Sequence, residues 1–261
     1  MHKIEAVIFD WAGTTVDFGC FAPLEVFINI FKQKDIDVSI EEARKPMGML
    51  KIDHIRTMLE MDNIEKQWTE KYNRKPNETD VEELYEAFET ELMSSLKKYT
   101  DPIEHVVTTI NKLKENGIKI GSTTGYTREM MEVVTEEAKK KGYAPDYLAT
   151  AEDVGGYGRP YPYMIFENIK QLGIPSIYEV IKVGDTVSDI KEAKNAGLIS
   201  VGVVDGSSIM GLNEEEFNEM NDEDKNKHRE KVKETFKEEG ADYTILNLGE
   251  LPKLIEDIEQ K

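Results

Sequence analysis

The sequence has little cysteine and little positive charge. Its 261 residues include one cysteine, Cys20, so no disulfide can form within the chain, which fits a reducing compartment. Lysine and arginine together number 33 against 52 aspartates and glutamates, and the formal net charge is −19. Nucleic acids and anionic membrane surfaces repel a chain of this charge. We therefore expect neither of them as a partner.

Long apolar runs are missing as well. Runs such as residues 6–9 and 201–204 are far shorter than the roughly 20 apolar residues that a membrane-spanning helix needs. The N-terminal residues lack the basic stretch and apolar segment of a secretory signal. With 39% hydrophobic residues the chain can still bury a large core. These features predict a cytoplasmic protein that works without a membrane.

One short stretch runs against the overall charge. Residues 43–56 contain a single acid, Asp53, and the basic side chains of Arg44, Lys45, Lys51, His54 and Arg56. A basic island in an acidic protein is either an anion-binding site or a solvated helix face, and the second case is the more common.

The apolar periodicity predicts a strand followed by a helical segment. Residues 6–9 have the pattern of a short buried strand, with Asp10 at its end. From 20 to 100 the spacing of apolar residues is helical, and no strand pattern interrupts it. Capping boxes at 39–42 and 79–82 mark two helix starts. We predict a small helical domain over residues 20–100.

Helices and strands alternate after residue 101. Strands are predicted at 118–123, 147–150, 180–184, 199–204 and 243–246. Helices are predicted at 103–116, 128–141, 161–172, 188–196 and 251–258, with amphipathic surface helices in the charged segment 213–239. The alternation predicts an α/β fold with a doubly wound, Rossmann-like parallel sheet, whose ligands bind at the carboxyl ends of the strands. The core domain would comprise residues 1–19 and 101–261, with the helical domain inserted between them.

Three predicted strand ends carry polar residues. Asp10 leads into a loop with Gly13, which suits a nucleophile beside backbone amides that hold phosphate oxygens. The hydroxyl-rich residues 122–127 lead into a helix start, which favours anions. Asp185 and Asp189 flank a turn and offer the oxygen ligands that magnesium selects. An aspartate after a strand is usually only a turn residue, but three such ends in one sheet indicate a site.

These motifs, taken in order, resemble those of the haloacid dehalogenase superfamily. The resemblance implies that Asp10 is the nucleophile and that Asp185 and Asp189 form an acidic magnesium pair. It also implies that Arg159, which precedes a predicted helix, is the basic residue of the site. The helical domain over 20–100 then corresponds to the cap domain of such enzymes.

Position 12 departs from the common pattern of that superfamily. Its phosphatases have a second aspartate there, which protonates an oxygen leaving group, whereas this chain has Ala12. The Ala12 carbonyl can ligate a metal but transfers no proton, and general acid–base catalysis contributes roughly 10²–10⁴-fold. A leaving carbon needs no such proton if an imine takes up its electrons. Lys51 is the candidate amine, and His54 lies on the same helical face, where it can move protons.

Residues 9–15, 45–48 and 121–126 resemble, more narrowly, the motifs of the phosphonoacetaldehyde hydrolase family. The resemblance implies cleavage of the carbon–phosphorus bond of phosphonoacetaldehyde to acetaldehyde and phosphate. The reaction would use a Schiff base on Lys51 and an aspartyl phosphate on Asp10.

The same resemblance implies the ligands of the site. The expected Mg²⁺ positions are Asp10, the Ala12 carbonyl and Asp185, with Asp189 behind the metal. The expected phosphoryl or substrate contacts are Thr124, Arg159, Met47, Tyr126, Cys20 and His54. A homodimer is implied too, and the apolar face of a helix over 21–34 would pack either inside its own chain or across the dimer.

Other interpretations stay open. A sugar-phosphate phosphatase or phosphomutase of the same superfamily would want an acid at position 12, and Ala12 speaks against it. A non-catalytic member would be expected to lack Asp10 or Asp185, and both are present. Cys20 also fits a small buried packing residue, and Arg128 faces either the substrate or solvent.

Overall fold

Six parallel strands form the centre of residues 3–260, the part of the chain that this computed structural model describes. They are β1 (Ala6–Phe9), β2 (Lys119–Thr123), β3 (Tyr147–Ala149), β4 (Val180–Gly184), β5 (Ile199–Val203) and β6 (Tyr243–Ile245). Their order is β3-β2-β1-β4-β5-β6, and every neighbouring pair is parallel. The chain therefore winds outward from β1 in both directions, which confirms the predicted doubly wound sheet.

The central strand β1 is covered on both faces. Ala6 and Ile8 belong to one apolar cluster, whereas Val7 and Phe9 belong to another. Successive side chains of a strand point to opposite faces, so a strand buried on both sides has to be apolar throughout. The end of this strand carries Asp10 to the middle of the sheet edge.

In the described part of the chain, five helices lie between β1 and residue 96. They are α1 (Phe21–Gln33), α2 (Ile40–Arg44), α3 (Lys51–Leu59), α4 (Asp62–Tyr72) and α5 (Glu78–Ser95), and a 3₁₀ turn at Leu96–Tyr99 closes them. We call residues 20–100 the helical insertion. Both α1 and α3 pack against α5. The separation of this unit from the core as a domain of its own stays a prediction.

An aromatic stack lies at the centre of the helical insertion. The ring of Phe27 in α1 stacks on that of Phe88 in α5, with centroids 4.4 Å apart, and on that of His54 in α3, with centroids 3.8 Å apart. Leu24 and Phe31 are buried on the same face of α1. The apolar face of this helix therefore packs inside its own chain.

One of the two predicted helix starts is wrong. Ser39 caps α2 as expected, in a capping box with Glu42. The second start, expected at 79–82, lies two residues earlier, because Asn77 and not Thr79 is the cap of α5. The Asn77 side chain accepts from the Asp80 amide at 3.3 Å, and Asp80 accepts from the Asn77 amide at 2.8 Å. Asn and Thr both cap helices well, so the pattern alone does not choose between them.

Seven further helices surround the sheet within the described range. They are α6 (Val106–Glu115), α7 (Arg128–Lys140), α8 (Tyr163–Leu172), α9 (Val187–Ala196), α10 (Glu214–Glu219), α11 (Asp222–Glu238) and α12 (Leu251–Glu259). Helix α6 begins three residues later than expected, because His105 has a left-handed backbone (φ 70°) that cannot continue a right-handed helix. Helices α10 and α11 confirm the amphipathic pattern of 213–239. Among residues 3–260 no helix has both the length and the apolar composition to cross a membrane.

The aromatic stack predicts a large stability effect. Phe88→Ala removes a fully buried ring, so the free energy of unfolding should fall by about 3–5 kcal/mol. Glu82→Ala, an exposed position of the same helix, should change it by less than about 0.5 kcal/mol. Urea denaturation of both variants measures the difference. Similar small effects for the two would mean that α5 does not hold the helical insertion together.

Candidate active site

The sheet brings two acidic strand ends together. In the pairing register Phe9 lies opposite both Ser122 and Val183. Asp10 follows Phe9, and its amide donates to the Val183 carbonyl at 2.9 Å. Asp185 follows the adjacent strand β4. Strand order reverses between β1 and β4, and doubly wound sheets bind ligands at such a point.

The loop after β1 is tight and lies against Asp185. The Trp11 carbonyl accepts from the amides of residues 14, 15 and 16 at 3.1, 2.7 and 3.0 Å. Gly13 has φ 87°, and a Cβ there would lie 2.3 Å from Asp185 Oδ2, so both backbone and space require glycine. The Thr14 hydroxyl donates to Asp185 Oδ1 at 2.9 Å. The loop thereby orients the second carboxylate.

Asp10, Asp185 and Asp189 form a buried carboxylate cluster, with one oxygen of each within 4.8 Å of the others. Burial raises the pKa of Asp185 well above its ordinary value, and the charges of Asp10 and Asp189 raise it further. A cation among these groups would offset that repulsion. Buried, convergent carboxylate oxygens suit a hard divalent cation, so the residues fit a metal.

Asp189 is already engaged by protein groups. Its Oδ1 lies 2.8 Å from Lys182 Nζ and 3.1 Å from Arg159 Nη1. Its Oδ2 accepts from the Thr186 hydroxyl at 2.5 Å. Burial raises the pKa of Asp189, but the charges of Arg159 and Lys182 bring it below its ordinary value. Asp189 is therefore charge-balanced by two cations of the protein, whereas Asp185 has no ion pair among residues 3–260.

Arg159 joins the cluster to the end of β2. Its Nη2 lies 2.7 Å from Asp10 Oδ1 and donates to the Thr123 carbonyl at 2.8 Å. Its Nε lies 3.1 Å from Glu192 Oε2. Burial lowers the pKa of Arg159, but Asp10, Asp189 and Glu192 together raise it above its ordinary value. A held, fully charged guanidinium beside Asp10 suits a phosphoryl group.

Lys51 is buried at the first position of α3. Its Nζ lies 5.0 Å from the ring centroid of Tyr126 and 5.8 Å from that of Phe27. Burial lowers the pKa of Lys51 below that of an ordinary lysine, and the positive end of the helix acts in the same direction. Tyr126 follows β2, the strand paired with β1, so the amine lies at the edge of the sheet that carries Asp10.

His54 stays neutral in this environment. Burial lowers its pKa well below the ordinary value, and the nearby Lys51 lowers it further. Its Nε2 lies 2.9 Å from the Ala43 carbonyl, so a neutral ring donates there and keeps Nδ1 as an acceptor. Within the described residues, Nδ1 is buried without a hydrogen-bond partner.

Cys20 and Tyr126 are buried in the same region. Burial and the charge of Asp17 raise the pKa of the Cys20 thiol well above its ordinary value, so the thiol stays protonated. Burial likewise raises the pKa of Tyr126 well above its ordinary value. The Tyr126 hydroxyl has no hydrogen-bond partner inside the described range, although it is buried. It is thus a free polar group next to Lys51.

The loop before Lys51 docks on the core. The Met47 carbonyl accepts from the Ser188 hydroxyl at 3.2 Å, and a Cβ on Gly48 would lie 2.3 Å from Thr186 Oγ1. Met47 itself is buried there. These contacts bring the helical insertion against the loop that carries Asp185.

Thr124 lies buried as expected for a site residue, whereas Arg128 does not face the site. The Thr124 hydroxyl is buried and accepts from the Tyr126 amide at 3.1 Å. Arg128 points elsewhere, because its guanidinium pairs with Asp153 and its side chain is half exposed. In the basic island, Lys45 is exposed and Arg56 pairs with acids of the helical insertion, whereas Lys51 and His54 are buried.

Comparison with known proteins agrees with this geometry. A profile of haloacid dehalogenase-like hydrolases matches residues 4–197. The chain belongs to the haloacid dehalogenase-like hydrolase family. It is 57% identical to the phosphonoacetaldehyde hydrolase of Lysinibacillus sphaericus, over 99% of this chain and 96% of the relative. It is 53% identical to that of Bacillus cereus, over 99% and 98%. The crystal structure of a phosphonoacetaldehyde hydrolase-like protein from Oleispira antarctica superposes with a TM-score of 0.96 at 35% identity, covering 98% of this chain and 93% of that one.

Two charged residues of this haloacid dehalogenase-like site escaped the sequence analysis. Lys182 lies inside strand β4, buried on all sides, and Glu192 lies one helical turn after Asp189. Lys182 Nζ is 3.5 Å from Glu192 Oε2, and Glu192 also accepts from the Thr123 hydroxyl at 3.0 Å. A lysine within an otherwise apolar strand of a sheet covered on both faces was the available signal. Such a lysine needs a buried acid as a partner.

Loss of the Lys182 charge should destabilise the protein strongly. Lys182→Met leaves Asp189 and Glu192 buried with one cation fewer, which typically costs about 3–5 kcal/mol. Lys191→Met removes a half-exposed lysine of α9 that pairs with Glu239, and should cost less than about 1 kcal/mol. Urea unfolding checks both values. Equal effects would mean that Asp189 and Glu192 do not depend on Lys182.

Proposed function

We propose that this haloacid dehalogenase-like hydrolase cleaves the carbon–phosphorus bond of phosphonoacetaldehyde to give acetaldehyde and phosphate. The observation that carries the proposal is a buried amine, Lys51, in a site that also buries the carboxylate of Asp10 and has no acid at position 12. Lys51 Nζ lies 5.0 Å from the ring centroid of Tyr126, which follows β2, the strand paired with β1. An imine on Lys51 makes that acid unnecessary. Full-length relatives named for this activity support the substrate.

Lys51 supplies the electron sink. Its lowered pKa makes the neutral amine available to attack the aldehyde carbon, and loss of water gives an imine. Protonation of the imine nitrogen prepares it to accept an electron pair. When the carbon–phosphorus bond breaks, its electrons form an enamine. Protonation at carbon and hydrolysis then release acetaldehyde and restore the amine.

Asp10 supplies the nucleophile. Its carboxylate attacks phosphorus as carbon leaves, which gives an aspartyl phosphate that water hydrolyses to phosphate. Arg159, 2.7 Å from Asp10, is placed to balance the charge of the phosphoryl oxygens, and the Thr124 hydroxyl is a second phosphoryl contact.

We propose Mg²⁺ as the cofactor, held by Asp10, the Ala12 carbonyl and Asp185, with Asp189 orienting the site. When bound, the metal would supply positive charge that lets an anionic nucleophile and an anionic phosphonate approach each other. The support is the carboxylate cluster and the raised pKa of Asp185.

The remaining residues form the aldehyde end of the site in this proposal. Met47 and Cys20 provide apolar walls, and the Tyr126 hydroxyl and the His54 Nδ1 are buried polar atoms that can orient water and move protons around the imine. These residues have supporting roles, and the bond-breaking chemistry belongs to Lys51 and Asp10.

The helical insertion acts as a cap in this proposal. Asp10, Lys51 and Arg159 are only 5%, 4% and 3% exposed, so the substrate reaches them when the insertion moves away from the core. We further propose a cytoplasmic homodimer. A single cysteine, which allows no internal disulfide, supports the compartment, and the family resemblance supports the homodimer.

The direct test is an assay for acetaldehyde and phosphate from phosphonoacetaldehyde, with and without magnesium. We expect both products in equal amounts, loss of turnover after chelation and recovery with Mg²⁺. Turnover that survives exhaustive chelation would remove the metal from the mechanism. The absence of acetaldehyde in the presence of Mg²⁺ would remove the substrate assignment.

The imine predicts that borohydride plus substrate traps an adduct on Lys51. Lys51→Arg keeps the charge, but its guanidinium stays protonated and forms no imine. Cleavage should fall by about 10³-fold or more, as when a covalent nucleophile is lost. The neighbouring exposed Lys45→Arg should retain activity. Mass spectrometry locates the adduct, and an adduct on another lysine or an active Lys51→Arg enzyme would sink the imine mechanism.

A further inference from the structure

Arg44 is a member of the basic island that has no role in the proposed chemistry, and its side chain reaches out of the helical insertion to contact the core. It is the last residue of α2, yet its Nη1 donates to the carbonyls of Gly19, at 2.8 Å, and Ser208, at 3.0 Å. Gly19 lies in the connection between core and insertion, and Ser208 in the core loop after β5. One guanidinium nitrogen therefore ties three separate segments together.

Ser208 is hydrogen-bonded to the carboxylate cluster. Its amide donates to Asp185 Oδ2 at 2.8 Å, and the residue is buried. Asp185 Oδ1 is held from the other side by the Thr14 hydroxyl. One of the two bonds that orient Asp185 thus comes from a residue whose carbonyl is held by Arg44.

The residues around Arg44 are closely packed. Its guanidinium lies 4.8 Å from the ring centroid of Phe21, the first residue of α1. The Gly19 amide donates to the Gly206 carbonyl at 2.8 Å, and a Cβ on Gly19 would lie 2.4 Å from the Leu212 carbonyl oxygen. The connection and the loop after β5 are therefore packed together at the place where Arg44 reaches them.

The hydrogen bond from Arg44 to the Ser208 carbonyl crosses the boundary between the helical insertion and the core. If the insertion opens as the proposed function requires, the Arg44 guanidinium would leave the Ser208 carbonyl, and the loop that holds Asp185 would lose that support. We propose that Arg44 is a positioning residue that couples closure of the helical insertion to the cation affinity of Asp185. The inference rests on the proposed function in two respects, the movement of the insertion and the binding of a divalent cation at Asp185.

The coupling is reciprocal by thermodynamic necessity. If closure of the insertion improves cation binding, then the bound cation favours closure by the same factor. A purely structural arginine behaves differently, since its loss lowers stability and leaves the metal affinity of the folded protein unchanged. Metal affinity without substrate therefore separates the two roles.

The experiment measures Mn²⁺ binding by electron paramagnetic resonance in wild type and Arg44→Met, with no substrate present. Residues that support metal ligands typically contribute 10–100-fold to metal affinity, so we expect about tenfold weaker binding in Arg44→Met. The control is Arg56→Met, an arginine of the insertion whose partners, Asp53 and Glu78, lie in the insertion itself. It should bind Mn²⁺ within about twofold of wild type.

Hydrogen exchange gives a second readout at the proposed link. The amide of Ser208 should exchange faster in Arg44→Met than in wild type, whereas Arg56→Met should leave it unchanged. If Arg44→Met does not fold, Arg44→Gln, whose side chain is too short to span the same contacts, decides by the same two measurements.

Unchanged Mn²⁺ affinity in a folded Arg44 variant would overturn the coupling, and so would a wild-type protein that binds no Mn²⁺. The assay with phosphonoacetaldehyde is independent of this result. An active enzyme with an unaffected Arg44 variant retains the proposed function and loses the coupling. An inactive enzyme whose Mn²⁺ affinity depends on Arg44 retains the coupling and loses the substrate.

Discussion

The structure depends on the burial of several like charges at one edge of a sheet. Three carboxylates converge where β1 and β4 end, those of Asp10, Asp185 and Asp189. Because they are buried, water screens their mutual repulsion poorly, and neighbouring positive charges have to offset it. Arg159 and Lys182 provide part of the compensation. In the proposed function a bound cation offsets the rest, so the repulsion that destabilises the fold also creates the metal site.

Burial acts on the amine in the opposite direction from its action on the acids. It raises the pKa of Asp185 and lowers that of Lys51, because each group is driven toward its neutral form. In the proposed mechanism the neutral form of Lys51 is the reactive one. The carboxylate cluster at the end of the sheet and the amine of the helical insertion are thus both buried, and the amine contacts the ring of Tyr126 after β2.

The parts of the site that could be predicted were those set by local pattern. Asp10 and Asp185 follow apolar strands, and parallel strands align their carboxyl ends, so their proximity follows from the alternation of helix and strand. Lys182, Glu192 and Arg44 were missed as site residues for a common reason. The group that each one contacts lies in a different segment of the chain, so the apolar strand around Lys182 could signal a buried lysine but not its partner.

Sequence alone determined the α/β class, the order of helices and strands, the acids after β1 and β4, and the alanine at position 12 that narrows the chemistry. These depend on periodicity and on the identity of single residues, which a linear pattern records. Tertiary structure decided that the apolar face of α1 packs inside its own chain, that Asn77 and not Thr79 caps α5, and that Arg44 reaches Ser208. The physical reason is that burial, and with it the pKa of Lys51 or Asp185, comes from every neighbour in space, most of them distant in the chain.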